Sequence, residues 1–173
     1  MAIKTIITEP NKILRQVSQS VKSVGKEEQK IMDDMLETMY QANGIGLAAI
    51  QIGIPKRIIV LDVSKKEEKK PMYFVNPVID NKDTENSTYE EGCLSVPDYF
   101  AEVDRPKKCR VQYLDYNGEK KALVADGLLA TCIQHEMDHL EGILFIDYLS
   151  KLKKTMIVKK LSKQKERPDR IIV

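Results

Sequence analysis

The sequence predicts an α+β fold: antiparallel β-sheets packed around a central helix that carries an H-E-x-x-H motif, with a second helix toward the N-terminus and a third at the C-terminus. Three observations carry that expectation. Residues 27–43 repeat at helical period, short strands with a hairpin signal follow, and the segment after Asp126 is apolar on most sides. In residues 27–43, Ile31, Met35, Leu36 and Met39 recur at helical spacing and Asn43-Gly44 supplies the stop. Residues 57–63 (RIIVLDV) are short, β-branched and preceded by Pro55, so they read as a buried strand. Residues 73–80 form another, beyond the charged loop 65–70. From Lys108 onward Cys109, Val111 and Tyr113 alternate with polar residues, Asn117-Gly118 marks a tight turn, and residues 121–124 return as the partner strand. Asp126 suits an N-cap, the helix pattern runs through Leu128, Leu129, Cys132, His135, Glu136 and His139, and Gly142 suits its end. Leu152, Met156 and Leu161 give the C-terminal segment a weak helical period, which suits a surface helix docked by that apolar side.

A chain of 173 residues with 42% hydrophobic and 31% charged residues is expected to be globular, of one domain or slightly more, and long enough to bury a single substantial core. Residues 1–9 interrupt their apolar positions with Lys4, Thr5, Thr8 and Glu9, unlike a signal peptide, and no apolar run reaches membrane-spanning length. Three cysteines do not make a disulfide framework. The expected compartment is the cytoplasm, with no membrane partner. A formal charge of +2 is too small for nucleic-acid binding by the whole domain. The positive charge is concentrated over residues 151–170, where Lys and Arg far outnumber Glu166 and Asp169.

Both histidines of the chain fall in Gln134-His135-Glu136-Met137-Asp138-His139-Leu140. Residues four apart share one face of a helix, so the two imidazoles can converge on one divalent cation with Glu136 beside its water. A catalytic site of this kind ordinarily has three protein ligands and one open position. No third histidine exists. Glu141, two residues past His139, points away from the histidine face, and Asp147 remains as a carboxylate candidate. Cys132 lies on the histidine face, but its seven-residue separation from His139 is roughly 10 Å along the axis, so it suits a pocket wall one turn away. Cys109 fits the core face of a strand. Cys93, in Glu91-Gly92-Cys93-Leu94-Ser95-Val96-Pro97, is the strongest candidate, because Gly92 permits close backbone approach.

The segment Gly44-Ile45-Gly46-Leu47-Ala48-Ala49-Ile50-Gln51-Ile52-Gly53 lacks the Gly-Lys-Ser/Thr ending of a phosphate-binding loop. It offers backbone amides and the Gln51 amide, groups suited to a peptide backbone or an oxyanion.

The segments GIGLAAIQIG, EGCLSV and QHEMDHLEG, in this order and spacing, closely resemble the three signature motifs of bacterial peptide deformylases. The resemblance covers residues 1–149 as a catalytic domain and leaves 150–173 as a basic C-terminal helix or tail. It implies removal of the formyl group from N-terminal N-formylmethionine of newly made proteins. By the same resemblance Cys93, His135 and His139 bind the metal and Glu136 is the general acid/base. Gln51 and the Leu94 backbone N–H stabilise the oxyanion, and Gly46, with Gly44 beside it, contacts the substrate backbone. The implied native ion is Fe(II), with zinc, nickel or cobalt able to replace it. Ile45, Leu128 and Cys132 are candidates for the methionine pocket, and Glu91 for its rim. Many members carry an arginine where this chain has Phe100, so contacts to the downstream substrate backbone are expected to depend less on charge.

Two further readings stand beside this one. A metallopeptidase uses the same helix motif, and a non-catalytic nascent-chain or ribosome-binding metal protein needs the ligands without Glu136. The basic tail is a candidate ribosome contact through RNA phosphates. The expected partners are N-formylmethionyl nascent polypeptides, with the protein itself a monomer.

Overall fold

The computed structural model describes residues 2–65 and 68–165. Lys66 and Glu67 of the charged loop, and Glu166, Arg167, Asp169 and Arg170 of the basic tail, lie outside the described residues. Among the described residues there are three α-helices, α1 (Lys26–Gln41), α2 (Gly127–Leu140) and α3 (Lys151–Lys165), and seven strands, β1 (Gly46–Ala48), β2 (Ile58–Leu61), β3 (Met72–Lys82), β4 (Asn86–Cys93), β5 (Val96–Pro106), β6 (Lys108–Leu114) and β7 (Lys120–Asp126). They form a five-stranded antiparallel sheet, β1-β2-β3-β6-β7, and a separate β4-β5 hairpin.

The large sheet separates two apolar layers, and β2 explains how. Strand side chains alternate between faces, so Ile58 and Val60 join Met32, Met35 and Met39 of α1, whereas Ile59 and Leu61 join Ala130, Ile133 and Leu140 of α2. All four β2 residues are fully buried, which is why the strand reads as one uninterrupted apolar run. The start of α1 is fixed by Glu28, whose carboxylate accepts the Gly25 N–H at 3.1 Å.

The expected α+β architecture is present, with three differences in detail. Asp126 occupies the N-cap position of α2, but its side chain makes no capping bond. The glycine-rich stretch is not an open loop: β1 runs straight into a 3-10 turn, Ala49–Ile52, and Leu47, Ala48, Ala49 and Ile50 are fully buried. The β4-β5 hairpin has no counterpart among the expected strands. Apart from Phe100, its outer positions are mostly polar, so it lacks the apolar run that revealed β2.

A third apolar cluster joins this hairpin to a 3-10 turn at Phe145–Tyr148 and to α3. Helix α3 docks through Ile157, Val158 and Leu161, while Leu152 and Met156, expected on its docking side, are 72% and 50% exposed. Asp147 ties the turn to its neighbours, pairing with Arg15 at 2.6 Å and with Lys154 of α3 at 2.5 Å. No helix among the described residues is long and apolar enough to cross a membrane.

Candidate metal centre

Helix α2 presents His135 and His139 one turn apart, and the end of β4 brings Cys93 to them from the opposite side. The ligating atoms of Cys93, His135 and His139 lie within 4.8 Å of one another. The Cys93 sulfur is 3.3 Å from His139 Nε2. One thiolate and two imidazoles in this arrangement match the donor set of a tetrahedral cation with one position left for water. Neither Asp147 nor Glu141 belongs to the cluster: Asp147 pairs with Arg15 and Lys154, and Glu141 with Arg57 at 2.5 Å.

His135 is oriented from behind. Its Nδ1 lies 2.8 Å from Glu91, whose carboxylate also accepts two hydrogen bonds from Arg105, at 2.5 and 3.0 Å. Glu91, expected at the rim of an apolar pocket, is instead enclosed within this ion pair and only 5% exposed. The correction follows from strand alternation, which turns Glu91 to the same side as Cys93, toward α2. Burial alone would raise the Glu91 pKa, but the hydrogen bonds from His135 and Arg105 hold it below the usual carboxylate value. Arg105 reaches further, donating to Asp138 at 2.8 Å and lying 4.9 Å above the Tyr148 ring. The Tyr148 hydroxyl donates to the same Asp138 oxygen at 2.8 Å. Sequence reasoning missed Arg105, Asp138 and Tyr148, although a lone arginine in the patterned stretch before Pro106 was a usable signal.

Glu136 lies between the histidines and is 5% exposed. Its Oε2 has no hydrogen-bond partner among the described residues. Burial pushes its carboxyl up to about 7, against the opposing pull of His135 and with a further push from Glu91. A Cβ on Gly46 would collide with Glu136 Oε1 and come within 2.8 Å of Leu61. Glycine is therefore what lets the edge of β1 pass directly over the carboxylate.

Gln51 ties the glycine-rich segment to the sulfur. Its Oε1 accepts the Ala48 N–H at 2.8 Å, and its Nε2 donates to Ser95 Oγ at 3.0 Å and lies 3.6 Å from Cys93 Sγ. The Ser95 N–H approaches the same sulfur at 3.4 Å, so Ser95 is a further residue that sequence reasoning missed. Leu94 occupies the turn directly after Cys93 and packs near Gly44, where an added Cβ would stand 2.7 Å from the leucine side chain.

Ile45 and Leu128 are 43% and 44% exposed, and Cys132 is almost wholly buried. Burial pushes the Cys132 thiol up to about 12, so it stays protonated and offers a small apolar surface at neutral pH. Cys109 is buried in the layer between the large sheet and α2, as its alternation predicts.

Comparison with known proteins follows the same residues. A family model described as polypeptide deformylase matches residues 3–155. A peptide deformylase of Pelagibacter ubique (strain HTCC1062) is 71% identical over 174 residues, covering 100% of both chains. One from Rhizobium meliloti (strain 1021) is 56% identical, covering 94% of each. A crystal structure of peptide deformylase from Ehrlichia chaffeensis in complex with actinonin superposes with a TM-score of 0.93 at 42% identity, covering 96% of this chain and 100% of that one.

Proposed function

The chain belongs to the polypeptide deformylase family, and from that premise we propose how its residues remove the formyl group from N-terminal N-formylmethionine of newly synthesised proteins, releasing formate. The observation that carries the assignment is the convergence of Cys93, His135 and His139 within 4.8 Å, beside a buried Glu136 oxygen that lacks a partner among the described residues. This donor set fits one divalent metal, with Fe(II) as the native ion by family resemblance and zinc, nickel or cobalt as substitutes. When bound, the ion supplies Lewis-acid polarisation and water of lowered pKa.

The protein groups divide the remaining work. Glu136 takes a proton from the attacking water and delivers it to the departing amine. Its burial raises its pKa, as suits a proton carrier working at neutral pH. Gln51 Nε2 and the Leu94 backbone N–H face the oxyanion formed on the formyl carbon, and their fixed positions avoid reorganisation during the reaction. Gly44 and Gly46 let the substrate backbone lie against β1. Ile45, Leu128 and the protonated Cys132 form the apolar wall for the methionine side chain. Glu91 acts behind His135 rather than on substrate, holding the ring so that its Nε2 faces the cation.

Residues 1–149 form the catalytic unit in this reading, and the lysines of α3 meet the ribosome through RNA phosphate contacts. The protein acts as a cytoplasmic monomer on N-formylmethionyl nascent chains. The test is formate release from a short N-formylmethionyl peptide by protein purified without oxygen, run beside the same peptide lacking the formyl group. Formate release with no cleavage of the unformylated peptide is expected. Cleavage of that peptide would indicate a metallopeptidase, and inactivity of a folded, metal-loaded protein would indicate a non-catalytic binding protein.

A further inference from the structure

Phe100 faces away from the metal site, yet it grips the residue that precedes the sulfur ligand. From Asn86↔Pro106 to Gly92↔Phe100 the β4-β5 ladder keeps one register, and the next pair, Cys93↔Val96, breaks it. Pro97, Asp98 and Tyr99 are looped out at that break, with Asp98 held at φ +68°. The Gly92·Phe100 pair is therefore the last regular rung, and Cys93 is the first residue beyond it. Glycine at this rung has no side chain with which to hold its partner. The Phe100 ring fills the gap, lying so close that a Cβ on Gly92 would stand 2.5 and 2.6 Å from two ring carbons.

Strand alternation fixes which side the ring occupies. Gly92 shares its face of β4 with Thr88, which bonds to Asp104 across the hairpin, whereas Glu91 and Cys93 face α2. Phe100 is 67% exposed on that outer face. An aromatic ring over a cross-strand glycine restores the packing that the glycine omits and pins the register. Fixing the Gly92 backbone fixes the direction in which the next residue projects its side chain.

We infer that Phe100 is a positioning residue for the metal centre, clamping Gly92 from the solvent side so that Cys93 Sγ is aimed at the two histidines. The inference rests on Cys93 being a metal ligand. It gives the aromatic residue a task independent of any contact with substrate.

The test uses the cobalt(II)-loaded full chain, with Phe100→Ala and Phe100→Leu as variants. Wild type first serves as its own control: absence of a thiolate-to-cobalt absorption band would count against the ligand assignment itself, not against the clamp. With the band present, Phe100→Ala is expected to release metal to a chelator about 10-fold faster, at the low end of outer-shell effects, with a weakened or shifted band. Phe100→Leu, which retains only part of the apolar cover over Gly92, is expected to lie between wild type and Phe100→Ala in both. Metal release as slow as wild type, with an unaltered band, overturns the inference. A fall in thermal midpoint alone would assign the ring to hairpin stability, and a rise in KM alone would assign it to substrate. If Phe100→Ala does not fold, Phe100→Leu decides: release intermediate in rate, with a partly shifted band, supports the clamp, and wild-type behaviour in both overturns it.

Discussion

Helix α2 and the β4-β5 hairpin face each other across the candidate metal centre, yet they encode their contributions by different means. In α2 the contribution is local, since residues four apart necessarily share a face, and His135, Glu136 and His139 are buried together by one apolar helix. In the hairpin it is non-local. Cys93 comes to the histidines just past a register break, a glycine and a cross-strand aromatic, and Glu91, which meets His135 directly, is held in place by Arg105 of the facing strand. The helix thus supplies donors by spacing, and the hairpin supplies aim by pairing. Removing Glu136 from the helix should remove chemistry and leave the metal, whereas damage to the hairpin should loosen the metal.

Breaking the comparison at its strongest point, Cys93→Ala deletes the hairpin's one ligand. Metal content after chelation and gel filtration should fall to background, because two imidazoles alone do not complete the site. Retention of one ion per chain would remove Cys93 from the ligand set. Next in size is Arg105→Met, which strands Glu91 as a buried, half-paired carboxylate. Breaking such an ion pair costs about 3–5 kcal/mol of stability, readable as a lowered urea midpoint, and metal affinity should fall about 10–100-fold through His135. A stability loss with unchanged affinity would separate Arg105 from the metal.

Gln51→Ala sharpens the contrast, because it removes a donor without removing a ligand. Turnover of a formylated peptide should drop about 10²-fold or more with metal content intact. The smallest effects belong to the periphery. With the metal kept saturating, because the substitution also removes the ring over Gly92, Phe100→Arg should raise the ratio of kcat/KM on longer to short formylated peptides, and an unchanged ratio would remove the expected weakness in charge-mediated substrate binding. Deleting residues 151–173 should weaken ribosome binding and flatten its salt dependence, by a slope of roughly 0.9 for each phosphate that the tail neutralises. A salt dependence identical to that of the full chain would exclude the phosphate reading.

The same contrast explains what could be read from the sequence. Both faces of β2, the metal helix and its stop at Gly142 were legible, because their patterns repeat at a fixed period within one segment. The convergence of Cys93 with the histidines was legible as a candidate, through its glycine neighbour and the shortage of other ligands. The hairpin itself was not. Its outward Thr88, Glu90, Glu102 and Asp104 make it resemble a polar loop, and only the alternation of Tyr89, Glu91 and Cys93 hinted at a strand. Missing that strand misplaced Glu91 and hid Arg105, whose partners come from β4, α2 and the turn at Phe145–Tyr148. The docking side of α3 was misread for a related reason: the cluster that receives Ile157, Val158 and Leu161 is built from the hairpin and the turn at Phe145–Tyr148, distant in sequence.

The division between holding metal and moving a proton is tested most directly by Glu136→Ala, assayed oxygen-free for metal content and formate release on one preparation. One ion per chain, with formate release reduced by about 10²–10⁴-fold, is the predicted result. Turnover close to wild type with the metal retained would contradict the account, because the proton would then be carried by a group other than Glu136.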